Sequence, residues 1–467
     1  MKRLLLSAAL VFGLPAAAAG PAPGHAQTLW AAWPQARISP ADPWSLKHAD
    51  LRKALEGLQA RHPGLFTVAE EGTSAEGRRI PLLRLGSGPT GVLLWSQMHG
   101  DEPTATSALL DLLNWLGTHR EGAEVQGLLS QLTLWVIPML NPDGTERTQR
   151  WNAQGIDINR DALRLSTPEG RFLKAVRDRV KPALGYNLHN QNPLLLAGRG
   201  GAQAALSVLS VPGDDADSAA FGTSRTKQLA LVVDRLVQAL APGRLARYDT
   251  DYTARAFGDS MTRWGTPTLL IETGGWGGPG EAERLVRLNF VALLGSLTAL
   301  AEGRLDALDP AGYARIPMNQ RESLVSLVVR NARLASGRGF PPFLADLAFT
   351  VPGAFAGDAP RRREPSLVEL GDLSALRGVA ELDATGMLAL PWPAGTWKDA
   401  ASLVQSLRGS GLAETDEARL LEAVRSQGEA AAPRPGFTGT VLLYRPSGSG
   451  LKLAGMVFRG VLVEAAP

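Results

Sequence analysis

Val92-Leu93-Leu94-Trp95-Ser96-Gln97-Met98-His99-Gly100-Asp101-Glu102 passes from an apolar run to a polar turn. Its apolar half has the length and composition of a buried strand, and Pro103-Thr104-Ala105-Thr106 immediately after it starts a helix. At the strand exit an imidazole and a carboxylate stand three positions apart, so His99 and Glu102 can converge on one point in front of the sheet edge. Two imidazoles and one carboxylate make a known zinc ligand set that leaves a position open for water or substrate. His-x-x-Glu alone is common by chance, and a solvated loop pair is its plain structural reading, so a third ligand has to be sought.

The search is short. The chain has six histidines, His25, His48, His62, His99, His119 and His189, and only the last lies beyond residue 119. His189 closes the run Leu184-Gly185-Tyr186-Asn187-Leu188-His189-Asn190, which reads as a buried strand with a polar end. A neighbouring strand end is where a third ligand would come from. A core histidine bonded to a backbone carbonyl is the alternative.

Composition narrows the setting. There are 48 basic and 45 acidic residues in 467, a balance with no nucleic-acid or membrane footprint. The chain has no cysteine, which excludes disulfides and thiolate zinc sites, so His, Asp and Glu must carry any metal. Residues 1–26 have the layout of a cleavable signal peptide: Lys2-Arg3, an apolar stretch over residues 4–14, then small residues up to Ala26. The apolar stretch is too short for stable membrane insertion, and a secreted or periplasmic protein is expected.

Along the chain, helical spacing over 44–61 stops at His62-Pro63-Gly64, and alternating segments over 66–70 and 79–85 flank a turn-rich connection. The 92–95 strand and a helix over 105–116 follow. A strand over 132–138 runs into Asn141-Pro142-Asp143-Gly144, read as a turn in which Pro presets φ and Gly accepts positive φ. A long loop extends to about Ser166, the kind of connection that is usually functional. A helix over 168–180, the His189 strand, a strand over 204–211, a helix over 217–240, a strand over 268–271 ending at Glu272, and a helix over 281–300 complete the series. This alternation predicts an α/β fold, a mixed central sheet flanked by helices, with His99, His189 and Glu272 at strand ends where ligands bind in open α/β sheets. Residues 27–305 form this expected catalytic domain. From residue 306 to 467 the texture changes to short apolar segments separated by Gly and Pro, with strands expected near 347–351, 379–382, 440–444 and 451–463 and a helix near 416–425. That is a smaller, strand-rich accessory module; Arg361-Arg362-Arg363 within it reads as a solvated loop.

Four pieces now stand in order: His99-x-x-Glu102; Asn141-Pro142-Asp143-Gly144 with Arg150-Trp151-Asn152 and Asn159-Arg160 downstream; His189; and Glu272 at a strand end. Together with Gly72-Thr73-Ser74 and Glu76-Gly77-Arg78, this order resembles the zinc metallocarboxypeptidases related to carboxypeptidase A, over roughly residues 42–302. The resemblance implies one Zn2+ per chain on His99, Glu102 and His189, a peptide or protein substrate with a free C-terminus, Arg150 beside the oxyanion, and Asn159 and Arg160 on the terminal carboxylate. It also implies a mobile tyrosine ahead of Glu272. Tyr248 and Tyr252 both qualify, and Tyr252 is preferred because Gly258-Asp259-Ser260 and Trp264 follow it at the closer range; Met261 would then face the pocket for the terminal side chain and suggest an apolar preference.

The chemistry of these residues agrees. Zinc on two His and one Glu lowers the pKa of water towards about 7 and polarises a carbonyl. Glu272, free of ligand duty, suits the general base, and a planar guanidinium grips a carboxylate through two parallel hydrogen bonds. For Arg150 and Arg160 the plain structural reading is pairing with Asp143, Asp157 or Asp161. Two other functions fit less well: a zinc amidase acting on cell-wall peptides or acyl-amino acids, and a binding module for peptide ends that has lost its metal.

Overall fold

The computed structural model of the chain describes residues 24–214, 223–248, 252–321, 324–350, 365–395 and 397–464. Arg361-Arg362-Arg363, Val351 and most of the leader-like segment lie outside these. In chain order the first part holds helices α1 (His25–Ala36), α2 (His48–Arg61), α3 (Thr104–Thr118), α4 (Ala123–Gln131), α5 (Pro142–Arg147), α6 (Pro168–Val180), α7 (Thr223–Leu240), α8 (Phe257–Arg263) and α9 (Glu281–Ala301). Its strands are β1 (Thr67–Thr73), β2 (Arg79–Leu85), β3 (Thr90–Ser96), β4 (Leu132–Ile137), β5 (Leu184–Asn190), β6 (Leu196–Ala197), β7 (Leu206–Ser210), β8 (Leu245–Arg247) and β9 (Thr268–Thr273).

Eight of these strands form one sheet in the order β1-β2-β4-β3-β5-β9-β7-β8. The centre is parallel, β4-β3-β5-β9, while β1, β2 and β7 run antiparallel to their inner neighbours, which makes the sheet mixed, as its alternating elements suggest. Buried on both faces, the central strands read as near-continuous apolar runs.

The pleat divides those runs between two cores. Val92 and Leu94 of β3, Tyr186 and Leu188 of β5, and Leu269 and Ile271 of β9 join the larger cluster with α1, α3, α7 and α9. Leu93 and Trp95 turn the other way, towards α6 and α8, with Leu173, Phe257 and Met261. On that second face, the last positions of β5 and β9 are not apolar: Asn187, His189 and Glu272 stand there, and they line a cleft. The site is therefore where one face of the sheet stops being filled.

Helix α9 is apolar and long enough to match a membrane span by composition, yet its residues from Leu285 to Leu300 are nearly all buried against the sheet and the neighbouring helices. Helix α1 was not expected from the sequence. It packs Leu29 and Trp33 into the larger core, and the Trp33 indole donates to the buried Asp111 carboxylate at 2.9 Å. Asp111 also accepts from the backbone N–H groups of Ile38 and Ser39 at 2.8 and 2.9 Å and from the Ser39 hydroxyl at 2.9 Å, so four donors fasten the segment ahead of α2 to α3.

The second part is β-rich. Among the described residues, Leu324–Leu334, Phe343–Thr350, Ser366–Gly371, Arg377–Asp383, Leu388–Trp392, Glu414–Thr415, Thr440–Ser447, Gly450–Phe458 and Val461–Glu464 form a nine-stranded sheet, with helices Ala400–Gly409 and Glu417–Arg425 packed on it. The long strand Leu324–Leu334 and the helix Ala400–Gly409 have no counterpart among the expected elements. A two-residue strand, β10 (Asn319–Gln320), pairs with β6 and joins the two parts.

Candidate metal centre and cleft

Residue spacing builds the first half of the site. Strand β3 ends at Ser96, the chain turns through Gln97 at φ 53°, and the backbone N–H of Glu102 donates to the His99 carbonyl at 3.2 Å, closing a tight loop. Gly100 makes that loop possible: a Cβ there would lie 2.0 Å from the carbonyl carbon of Gly144, so the two backbones touch. Asn141-Pro142-Asp143-Gly144 is accordingly not a free turn but the start of α5, with Asn141 as N-cap accepting from Gly144 N–H at 2.9 Å and Pro142 in the first helical turn. Gly144 is not among the residues with positive φ; it is small because Asn141 and the Trp151 carbonyl crowd it.

Asn141 also ties the loops together. Its amide nitrogen reaches the carbonyls of Met98 at 3.2 Å and Arg150 at 3.3 Å, holding the residue before His99 next to Arg150. Asp143, fully buried, accepts from the Ser74 hydroxyl at 2.8 Å, Glu76 N–H at 2.9 Å and the Arg78 guanidinium at 2.7 Å. The motif residues at 74–78 and 141–144 are thus one scaffold.

The second half arrives by sheet pairing. His189 sits opposite Glu272 in the β5–β9 register, and the β5 strand brings His189 alongside the β3 exit. Glu102 is the hub: one carboxylate oxygen lies 2.8 Å from His99 Nδ1, and the other lies 2.7 Å from His189 Nδ1. The donor atoms of the three residues all lie within 4.8 Å of one another, and each side chain is at most 3% exposed. The other His99 nitrogen, Nε2, lies 3.1 Å from the Asp157 carboxylate. A metal-binding histidine usually donates its second N–H to a carboxylate in this way, which leaves the first nitrogen as a lone pair. The two Nδ1 atoms are 3.2 Å apart, and a cation between them and Glu102 would satisfy all three at once. The donor set therefore fits a metal ion with an open position.

Electrostatics sharpen the roles. Burial works to raise the Glu102 carboxyl pKa, but the His99 and His189 imidazoles overcome it and hold the group well below the usual range. Asp157 is likewise held low against its own burial by the His99 hydrogen bond and by Arg150. Arg150 donates from Nε to Asp157 at 2.9 Å, while its Nη1 lies 3.3 Å from His99 Nδ1 and 3.8 Å from Glu102. It is thus both paired, as the plain reading had it, and present beside the candidate metal ligands. Glu272 differs from all of these. Burial and the nearby Glu102 charge push its carboxyl up to about 8, and its Oε2 has no hydrogen-bond partner among the described residues.

The rest of the cleft corrects two expectations. Asn159 and Arg160 line it, delivered by the 3₁₀ turn Ile158–Arg160 that Asp157 caps through Asn159 N–H. Asn159 Oδ1 accepts from Phe257 N–H at 2.8 Å, fixing the start of α8. Tyr252, however, is not in the lining; Tyr248 is. Tyr248 continues the β7–β8 pairing, donating its N–H to the Val208 carbonyl at 2.9 Å, and sheet pairing rather than range to Trp264 decides which tyrosine faces the cleft. The negative charge of Glu272 and burial both drive the Tyr248 phenol above its ordinary value. Met261 also fails to face the pocket: with Phe257, four residues earlier, it is buried in the smaller core, and Asp259 on the opposite side of α8 lines the cleft instead. Burial raises the Asp259 carboxyl to about 6.

Sequence reasoning also missed Asn187, Asp157 as a partner of His99, and Arg321. The first was legible: period two along β5 puts Asn187 on the same face as His189. No local signal marks Arg321.

With the geometry in view, comparison with known proteins adds an independent result. Residues 51–175, which include His99, Glu102, Arg150, Asn159 and Arg160, match the zinc carboxypeptidase family Peptidase_M14. Over that segment, about a quarter of the chain, the sequence is similar to the zinc carboxypeptidases. A probable carboxypeptidase 2 of Trichophyton verrucosum is 31% identical over 126 residues, 25% of this chain and 24% of that protein. Carboxypeptidase E of Caenorhabditis elegans is 31% identical over 141 residues, 25% of this chain and 30% of that protein. The chain thus spans less than a third of the length of these relatives. Among solved structures, a metallo-carboxypeptidase from Pseudomonas aeruginosa aligns with 55% of this chain and 69% of its own at 20% identity and a TM-score of 0.44.

Proposed function

We propose that the chain is an exported zinc metallocarboxypeptidase that removes the C-terminal residue of a peptide or protein. The observation that carries this reading is the Glu102 carboxylate held between the Nδ1 atoms of His99 and His189, with an unpartnered Glu272 carboxylate oxygen in the same cleft. The leader-like residues 1–26 support the location.

His99, Glu102 and His189 would hold one zinc ion, which when bound supplies Lewis acidity and an acidified water. Glu272 takes the proton of the attacking water as its oxygen bonds to the scissile carbonyl carbon, and passes that proton to the amine nitrogen as the C–N bond breaks. Its raised pKa favours accepting the proton. Arg150, clamped by Asp157, offers a guanidinium to the oxygen on which negative charge develops. Asn159 and Arg160 take the terminal carboxylate, which orients the last peptide bond and restricts the reaction to chain ends.

Asp259 refines the substrate. A carboxylate in a cleft wall, with no ion pair among the described residues, favours a terminal residue with a basic side chain over the apolar one that Met261 had suggested.

The test combines metal analysis with mass spectrometry. Purified protein is expected to hold one zinc and to shorten peptides with free C-termini one residue at a time, leaving their amidated counterparts intact. Equal rates on acid and amide peptides would reject the carboxypeptidase reading in favour of an amidase.

A further inference from the structure

The second part of the chain contributes to the cleft. Arg321 lines it together with Tyr248 and Glu272, although it lies beyond the last helix of the α/β domain. Its position is built rather than incidental. Arg247 N–H donates to the Pro317 carbonyl at 2.7 Å, Arg247 Nε donates to the Ile316 carbonyl at 2.8 Å, and Gly198 N–H donates to the Met318 carbonyl at 3.0 Å. Asn319 and Gln320 then pair with Ala197 and Leu196. Residues 316–320 are thereby fastened both to the strand that aims Tyr248 and to the loop after His189, and Arg321 follows at the rim. Arg377 of the accessory sheet reinforces that loop by donating to the carbonyls of Gly200 and Gly201 at 3.1 and 2.9 Å.

The three arginines of the cleft differ in what occupies them. Arg150 is paired with Asp157, and Arg160 is bonded to the Asn159 carbonyl within the proposed carboxylate subsite. Arg321 is exposed and makes no ion pair among the described residues. The fastenings also sort into two ends. Asn159 accepts from Phe257 N–H at 2.8 Å, which sets Arg160 beside the helix that carries Asp259, whereas Tyr248 and Arg321 follow the bonded segments at Arg247 and 316–320. If the terminal residue occupies the Arg160–Asp259 end, the preceding part of the peptide leaves across the Tyr248–Arg321 end.

We infer that Arg321 is a specificity-determining residue of the cleft, placed there by the accessory region to bind a carboxylate side chain on the residue before the scissile bond. This rests on the carboxypeptidase reading, because that reading fixes which end holds the terminal carboxylate. The preferred substrate class is then a peptide ending in an acidic residue followed by a basic one.

Two blocked peptides that end Glu-Lys and Gln-Lys, equal in shape and different in one charge, test it with the full-length zinc-loaded protein. The Glu peptide is expected to be favoured in kcat/KM by roughly three- to tenfold, a preference that shrinks as ionic strength rises. In R321Q the ratio should fall to about one, while R321K, which keeps the charge, should retain most of it. A wild-type ratio near one, or a preference that survives in R321Q, overturns the proposal. Calorimetric binding of both peptides to the E272Q protein and to the E272Q/R321Q protein supplies a readout without turnover. Absence of hydrolysis of either peptide by wild type would reject the carboxypeptidase reading. A Glu-over-Gln binding preference lost with Arg321 would still support the role of this arginine, and equal binding of the two peptides would reject it.

Discussion

Glu272 and Asp259 are both buried carboxyls with raised pKa values, and their surroundings separate their roles. Glu272 lies opposite His189 in the sheet and beside the Glu102 charge, so a proton is readily accepted where the peptide bond would lie. Glu272→Gln keeps the shape and removes the basicity: the variant is expected to fold and hold zinc normally while kcat falls at least roughly a hundredfold. Loss of thermal stability with unchanged kcat per folded molecule would make Glu272 structural. Asp259 titrates from neutral to negative as the pH rises through about 6, above the ordinary 3.8. The preference in kcat/KM for a C-terminal Lys over Leu should therefore climb between about pH 5 and 7, following the ionisation of the free enzyme. Asp259→Asn should flatten both the preference and its pH dependence; a preference that is the same at pH 5 and 7 would remove Asp259 from the pocket chemistry.

At the level of elements, the cleft depends on two loops that meet backbone to backbone. Strand β3 delivers His99 on the far side of a turn closed by Gly100, and α5 presses Gly144 against that glycine. Gly100→Ala would drive a methyl group into a main-chain carbonyl that Asn141 and Asp143 hold from several directions, so the neighbour cannot simply swing away. Strain of about 1–3 kcal/mol is expected, as for overpacking elsewhere, with displacement of His99 and loss of zinc affinity. Chemical denaturation and zinc titration of the variant measure the two effects separately. Unchanged stability and zinc affinity would mean that the Gly100–Gly144 contact does not hold His99 in place. The long connection between α5 and α6, expected as a functional loop, carries Arg150, Asp157, Asn159 and Arg160, and Asn152 stiffens it by accepting from Gln154 and Ile156 N–H at 3.0 and 3.1 Å.

For the whole molecule, a metal held by His99 and Glu102 in the loop after β3 and by His189 near the end of β5 would link binding to global stability. Free zinc at about a hundred times its dissociation constant should add about 2.7 kcal/mol to unfolding. His189→Ala should abolish that increment, and His119→Ala should leave it intact. His119 caps α3 and stacks on Trp115 at 4.6 Å between ring centroids, with its Nδ1 bonded to the Trp115 carbonyl, and it is not part of the His99–Glu102–His189 group. Thermal scans of the three proteins with and without zinc decide the matter; a zinc-dependent shift that persists in His189→Ala would place the metal elsewhere.

Local spacing alone determined the α/β alternation, the short link between His99 and Glu102, and the strand ends at His189 and Glu272, because chain connectivity and a period of two act over a few residues. Asn159 and Arg160, which line the cleft, were singled out by the family resemblance and not by spacing. What the tertiary structure decided came from contacts between distant segments. Tyr248 rather than Tyr252 faces the cleft because β8 pairs with β7. Asp259 rather than Met261 lines it because α8 turns Phe257 and Met261 together into the smaller core. Gly144 is small because Asn141 and Trp151 surround it, a packing constraint that reads in sequence as turn chemistry. Arg321 reaches the cleft only because residues 316–320 are bonded across more than 60 residues to the end of β8 and across more than 100 to the loop after His189, distances over which sequence pattern carries no positional information.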